Sequence, residues 1–216
     1  MVKSLDSALD SALVERAAAA ARFAVESEIS ELKGLLSRLD VQVERSLALL
    51  LQCQGRVVVT GLGKSGLIGA KISATLSSTG TPSFFLHSTE ALHGDSGVVV
   101  GGDLVIAISN SGETAEVCAV AQMAKDSGIQ VIAMTGKLDS TLAKIADAIL
   151  DISISREADP LNLAPTSSTT LTLVLGDALA SALMAARNFT AQDFARRHPS
   201  GALGRQLSST DPSVQI

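Results

Sequence analysis

Aromatic side chains are nearly missing from this chain of 216 residues, which has no tryptophan, no tyrosine and five phenylalanines. A stacking platform for single-stranded nucleic acid is thereby disfavoured, because each base needs a ring to lie on. Net positive charge is missing too: 17 Lys and Arg stand against 22 Asp and Glu, leaving a formal charge of -5. A phosphate-backbone binder relies on clustered cations, so no nucleic-acid partner is expected. Cysteine is scarce. Cys53 and Cys118 lie far apart with no C-x-x-C pair, which excludes a disulfide scaffold or thiolate zinc site and reads both as small core hydrophobes. No apolar signal core opens the chain, since Asp6, Asp10, Glu15 and Arg16 interrupt it. The most apolar late segment, Leu171 to Ala186, contains Asp177 and is short for a bilayer. A cytoplasmic protein without a membrane partner is expected.

What is present is aliphatic, with 46% hydrophobic residues in all. The length suits one domain, given roughly 100–200 residues per domain. From Leu5 to Leu51 the pattern is helical: Leu9, Leu13 and Val14, then Leu32, Leu35, Leu36, Leu39 and Val43 recur at three- and four-residue spacing. The second segment contains Gly34 and charges of both signs. It predicts a helical hairpin (residues 4–53) packed on the domain, whose apolar stripe could equally pack against another subunit.

After Gly55 the period changes. Apolar runs of strand length occur at Arg56–Thr60, Ser83–Leu86, Leu104–Ile108, Gln130–Met134 and Ala148–Ile152. Between them, Ser65–Ser78, Glu113–Asp126 and Ser140–Ala146 read as helices. Alternation of this kind implies a parallel sheet covered on both faces. The expected fold is α/β: a flavodoxin-like three-layer sandwich with a five-stranded parallel sheet, its core over residues 55–207. Ala158–Thr170 reads as a loop, followed by a long Ala/Leu helix to about Arg187. Thr190-Ala-Gln-Asp193 is a capping-box-like start for a short helix ended by His198-Pro199, and residues 208–216 read as a frayed tail.

In an open parallel sheet, ligands bind at the carboxyl ends of the strands where strand order reverses. That rule selects Gly61-Leu-Gly-Lys-Ser-Gly66, Ser109-Asn-Ser-Gly-Glu-Thr114, and the stretch from Glu157 to Thr166-Ser-Ser-Thr-Thr170. The first matches the dinucleotide pattern Gly-x-Gly-x-x-Gly literally. That reading wants an acid at the end of the second strand, and Phe84-Phe85-Leu86-His87-Ser88 supplies none. The second segment gathers three hydroxyls and an amide around a glycine directly before a helix. Amides at a helix N-terminus together with Ser and Thr hydroxyls form a phosphate cradle. Without clustered arginine, it suits one small phosphate monoester. An ordinary N-cap loop is the plainer alternative.

Those segments, with Leu163-Ala-Pro-Thr-Ser-Ser-Thr-Thr170, resemble the sugar isomerase (SIS) domain. With Glu90-Ala-Leu-His-Gly-Asp95 and His198-Pro-Ser-Gly-Ala-Leu-Gly-Arg205, they resemble specifically the D-arabinose 5-phosphate isomerases. The resemblance implies a single SIS domain over residues 1–216 that interconverts D-ribulose 5-phosphate and D-arabinose 5-phosphate, feeding synthesis of the Kdo of lipopolysaccharide. It implies homotetramers with active sites at subunit interfaces, and no cofactor. Members usually continue into paired CBS modules; the chain ends before any could begin, so a short form or a trimmed chain is implied. Asn162 and Ser200 stand where the family pattern leads one to expect glycine.

Aldose–ketose isomerisation moves a proton between adjacent carbons through a cis-enediol, and needs a base at carbon and acid/base groups at the two oxygens. A carboxylate can serve as base if its surroundings raise its pKa. The matched candidates are Lys64, Glu113, Glu157 and His198, with His93 weaker. Glu157 is the expected carbon base, against a solvated surface Glu beside Arg156. His198 would serve ring opening or proton shuttling from its own or an adjacent subunit, against a helix cap. Lys64 would hold an oxyanion or the phosphate, against a helix-start lysine. For Glu113, the helix dipole alone could explain its place. The expected phosphate ligands are Gly63, Ser65, Ser109, Asn110, Ser111 and Thr114, and Thr166, Ser167 and Ser168 form a substrate loop. His93 with Asp95 is too sparse for zinc, so no metal is expected. The alternative functions are a non-catalytic phosphosugar-binding regulator, or an isomerase of another ketose phosphate.

Overall fold

The computed structural model describes residues 7–39 and 41–199. The strands are β1 (Val57–Gly61), β2 (Ser83–His87), β3 (Leu104–Ile108), β4 (Gln130–Thr135) and β5 (Ala148–Asp151). They form one parallel sheet in the order β2-β1-β3-β4-β5, the flavodoxin-like order expected. Alternate strand residues face opposite layers. Val57, Val59, Ile106, Ile108, Ile132 and Met134 point to one side, and Val58, Val105, Ala107, Val131 and Ala133 to the other. Burial on both faces is why these runs are almost continuously apolar instead of alternating.

The first face is covered by α1 (Ser7–Ser37), α2 (Val41–Gln52), α3 (Gly63–Ser78) and α7 (Ser167–Ala186). The second is covered by α4 (Ser88–Leu92), α5 (Ala115–Asp126) and α6 (Thr141–Ile145). A short 3-10 turn, Asp95–Val98, follows α4, and α8 (Ala191–Arg197) closes the described chain. The core is aliphatic, as the scarcity of rings requires. Cys118 is buried in it and Cys53 packs half-buried at its edge.

Three boundaries differ from expectation. The first apolar segment and most of the second are one helix, α1, because Ala17–Ala21 carries the helix through; the turn falls after Ser37. Next, α7 begins inside the expected Ser/Thr loop, at Ser167. By length and composition its 20 residues could cross a membrane. Here Leu171, Leu175, Leu179 and Leu183 are buried in the core, and Asp177 pairs with Lys71 of α3 at 2.5 Å. Finally, α4 and the turn after it are regular where the sequence had only the Glu90–Asp95 motif. Thr190 and Asp193 form a full capping box on α8. The 200–205 part of the His198–Arg205 motif and residues 208–216, where a frayed tail is expected, lie outside the described residues.

Candidate active site at the strand carboxyl ends

Strand order reverses between β1 and β3, so the loops leaving these two strands flank one crevice. After β1, α3 starts at Gly63; after β3, α5 starts at Ala115. Neither helix has a side-chain cap, which leaves first-turn amides available to an anion. Lys64 is exposed in the first turn of α3 and Ser65 is half-buried beside it. A cleft of about 460 Å³ opens there, lined by Gly63, Lys64, Gly66, Leu67, Phe85 and His87.

The Ser109–Thr114 loop folds around its own hydroxyls. Ser109 Oγ lies 2.9 Å from Thr114 Oγ1 and 3.4 Å from Ser111 Oγ, and accepts from the Gly112 amide at 3.1 Å. The Glu113 amide donates to Ser111 Oγ at 3.2 Å. Gly112 has φ +66°, and a Cβ there would stand 2.0 Å from Ser140 Oγ and 2.8 Å from Thr135 Oγ1. Only glycine fits both demands. The loop is also tied outward. Asn110 O accepts from the Gly136 amide and Gly112 O from the Leu142 amide, each at 3.0 Å. The hydroxyls of Ser109, Ser111 and Thr114 are thus gathered at one point, and the Asn110 side chain lies beside Gly136.

Glu113 points away from that cluster. Both its oxygens accept from Thr141, one from the amide at 2.9 Å and one from the hydroxyl at 2.7 Å. These two bonds hold its carboxyl below the ordinary range.

Glu157 sits at the start of α7. Its Oε2 accepts from the amides of Thr166 at 2.8 Å and Ser168 at 3.2 Å, and from Thr166 Oγ1 at 3.1 Å; Oε1 accepts from Ser168 Oγ. The carboxylate therefore caps a 20-residue helix from nine residues upstream, which is why α7 starts within the Ser/Thr tract. Ser167 between them is fully buried, and its Oγ has no hydrogen-bond partner. Asn162 has φ +56°, the region that favours glycine and tolerates Asn. Its side chain accepts the Glu157 amide at 2.6 Å, so the departure from the family pattern adds a tie to Glu157.

One residue joins the two halves. A Cβ on Gly136 would stand 2.7 Å from Asn110 Oδ1 and 3.5 Å from Ser153 Cα. The hydroxyl loop and the segment leading to Glu157 both come up against it there.

The histidines are placed apart. His93 is exposed at the end of α4. His198 stacks on Phe194 at 3.9 Å between ring centroids, and its Nδ1 lies 2.9 Å from Phe194 O. The segment leading into α8 rests at the opposite end of the sheet: Arg187 donates to Thr81 Oγ1, just ahead of β2, and the Phe189 ring packs on Gly80. Since α7 spans 20 residues, about 30 Å at 1.5 Å per residue, His198 does not approach Ser109–Thr114 or Glu157 of its own chain. His87, in the cleft beside Lys64, was not among the expected residues. The strand-end rule that selected three loops could have found it, because it ends β2.

A doubly wound parallel sheet carrying hydroxyl-rich loops and two uncapped helix N-termini at its switch point has the architecture of the doubly wound α/β domains. Residues 50–182 match the model of the SIS domain, and the chain belongs to that family. It is 59% identical over 173 residues to arabinose 5-phosphate isomerase KdsD of Pseudomonas aeruginosa, covering 80% of this chain and 53% of the relative. It is 51% identical over 180 residues to arabinose 5-phosphate isomerase GutQ of Salmonella typhimurium, covering 83% of this chain and 56% of the relative. The chain thus spans about half the length of these curated relatives. Among solved structures, a protein of E. coli CFT073 in complex with arabinose 5-phosphate superposes with a TM-score of 0.80 at 44% identity, over 82% of this chain and 95% of that one.

Proposed function

We propose that this chain is an aldose–ketose isomerase that interconverts D-ribulose 5-phosphate and D-arabinose 5-phosphate. The observation that carries the reading is the pairing of a hydroxyl cradle at Ser109–Thr114 with a carboxylate, Glu157, that the Thr166 and Ser168 donors hold in place. The relatives named arabinose 5-phosphate isomerase, and the solved structure in complex with arabinose 5-phosphate, support the choice of sugar.

In this reading the substrate phosphate rests on Ser65, Ser109, Asn110, Ser111 and Thr114 and on the amides that begin α3 at Gly63. Remote binding of that kind holds the sugar for the chemistry. Glu157 takes the proton from C2 of the open aldose. The electron pair forms the C1–C2 double bond, and the carbonyl at C1 becomes a hydroxyl. The resulting cis-enediol gives up its O2 proton as the C2 carbonyl forms, which replaces the proton taken up at O1, and Glu157 returns its own proton to C1. The Thr166 and Ser168 donors on Glu157 hold the carboxylate in one orientation. Lys64, exposed at the mouth of the cleft, faces the developing oxyanion or the phosphate. Glu113 braces the loop through Thr141.

His198 serves ring opening or proton shuttling from a neighbouring copy, because its own chain carries it to the far end of the sheet; His93 is the weaker candidate for the same work. Assembly into a homotetramer fits the apolar face that α1 leaves exposed at Leu13, Val14, Phe23, Val25 and Ile29. We also read residues 1–216 as one SIS domain, since one sheet organises all the described elements. The expected setting is the cytoplasm, with the product feeding Kdo and lipopolysaccharide synthesis.

The test is to incubate the purified protein with ribulose 5-phosphate and follow arabinose 5-phosphate by NMR. Glu157→Gln should still bind the phosphosugar while turnover falls by about 10²-fold or more. Conversion by Glu157→Gln at the wild-type rate would remove Glu157 from the role.

A further inference from the structure

The site as described leaves α1 without a part in it, yet three side chains of α1 and the turn after it end on the segment that delivers Glu157. The Phe23 ring lies 4.8 Å from the Arg156 guanidinium. Arg38 meets Asp151 at 3.1 Å and donates to Ser153 O at 2.7 Å. Between them, Glu31 accepts from the Ser155 amide with both oxygens, at 3.1 and 3.2 Å, from Ser155 Oγ, and from the Arg156 amide at 3.4 Å.

Glu31 is 8% exposed, one of few acidic residues buried among those described. A carboxylate taken out of water is costly unless its oxygens are fully engaged. Here the donors come from Ser155 and Arg156, immediately ahead of Glu157. Residues 152–166 have no regular secondary structure, so their amides depend on side-chain acceptors. Ser153 N bonds Asp151, Glu157 N bonds Asn162, and Ala158 N bonds Thr166 Oγ1. For Ser155 the acceptor comes from 124 residues away. Glu31 also lies outside residues 50–182, the part matched by the family model.

We propose that Glu31 is a positioning residue: it fixes the backbone at Ser155 and Arg156 and so sets where the Glu157 carboxylate stands. The inference rests on the reading of Glu157 as the carbon base. Misplacing a catalytic group by about 1 Å can cost 10²-fold in rate, while the bonds that shape the Ser109–Thr114 loop come from its own residues and from Gly136, Thr141 and Leu142. The signature is therefore a fall in kcat at nearly constant KM.

The experiment compares steady-state kinetics of the full chain, Glu31→Ala, Glu31→Gln, Ser155→Ala and Glu157→Gln on ribulose 5-phosphate, with circular dichroism melting of each. The expected result is a kcat of Glu31→Ala about tenfold or more below wild type with KM within about twofold. Should Glu31→Ala fail to fold, Glu31→Gln and Ser155→Ala, which keep volume or remove one hydroxyl, carry the test by the same split. Wild-type kcat in the folded variants, or a rise in KM matching the fall in kcat, overturns the proposal. If Glu157→Gln is inactive while the Glu31 and Ser155 variants turn over normally, positioning fails and the base assignment stands. If Glu157→Gln is active, the base assignment itself fails.

Discussion

Glu113 and Thr141 are joined by two hydrogen bonds, from amide and hydroxyl, that bridge the hydroxyl loop after β3 to the start of α6. The contact fastens the loop from its exposed side. Removing the hydroxyl loosens the cradle without touching a proton-transfer group. Thr141→Val should therefore raise KM for the phosphosugar about three- to tenfold with kcat little changed, about 0.7–1.4 kcal/mol and so within the net worth of one ordinary hydrogen bond, since the amide bond to Glu113 stays. Steady-state kinetics check it. A fall in kcat alone would place Glu113 in the chemistry instead.

Gly112 offers a sharper version of the same test. Its φ is +66°, and a Cβ added there would stand only 2.0 Å from Ser140 Oγ, which leaves no room for a methyl group. Gly112→Ala forces the loop to shift, since the left-handed conformation alone costs an L-residue roughly 1–2 kcal/mol. Phosphosugar affinity by calorimetry should drop at least tenfold, while inorganic phosphate titration reports whether the anion contact itself is lost.

Asp103 predicts how the fold responds to acid. Burial by itself would push its carboxyl up, but the amides of Arg56 and Val100 and the Arg56 guanidinium outweigh burial and hold it low. A carboxyl depressed in the folded state stabilises above its unfolded pKa, about 3.9, and that contribution is lost as pH falls through the lower folded value. Urea unfolding of wild type and Asp103→Asn should show a clear gap at pH 7 that narrows below about pH 4. A gap of constant size would show that the charge contributes nothing.

The strands and their order were legible because five short apolar runs, three of them buried on both faces and β-branched, punctuated by turn residues, admit few arrangements. The hydroxyl loop was legible for the same reason: strand ends at a switch point are where ligands sit. The start of α7 was not, because its cap is supplied by Glu157 from nine residues upstream, and local pattern sees only a Ser/Thr tract. Nor could periodicity separate Glu31 from Glu28 or Lys33 on α1, since burial of one charge among several depends on what folds against it. A motif match carries no distance for His198; only the course of α7 shows that it lies at the other end of the sheet from Glu157.

Gly136 carries a consequence for how such a site can vary. Asn110 and Ser153 both come close to the place its side chain would fill, so the hydroxyl loop and the chain four residues ahead of Glu157 close over a hydrogen atom where other residues carry carbon. A side chain at 136 would wedge these two segments apart, so variation of the site is closed at this position.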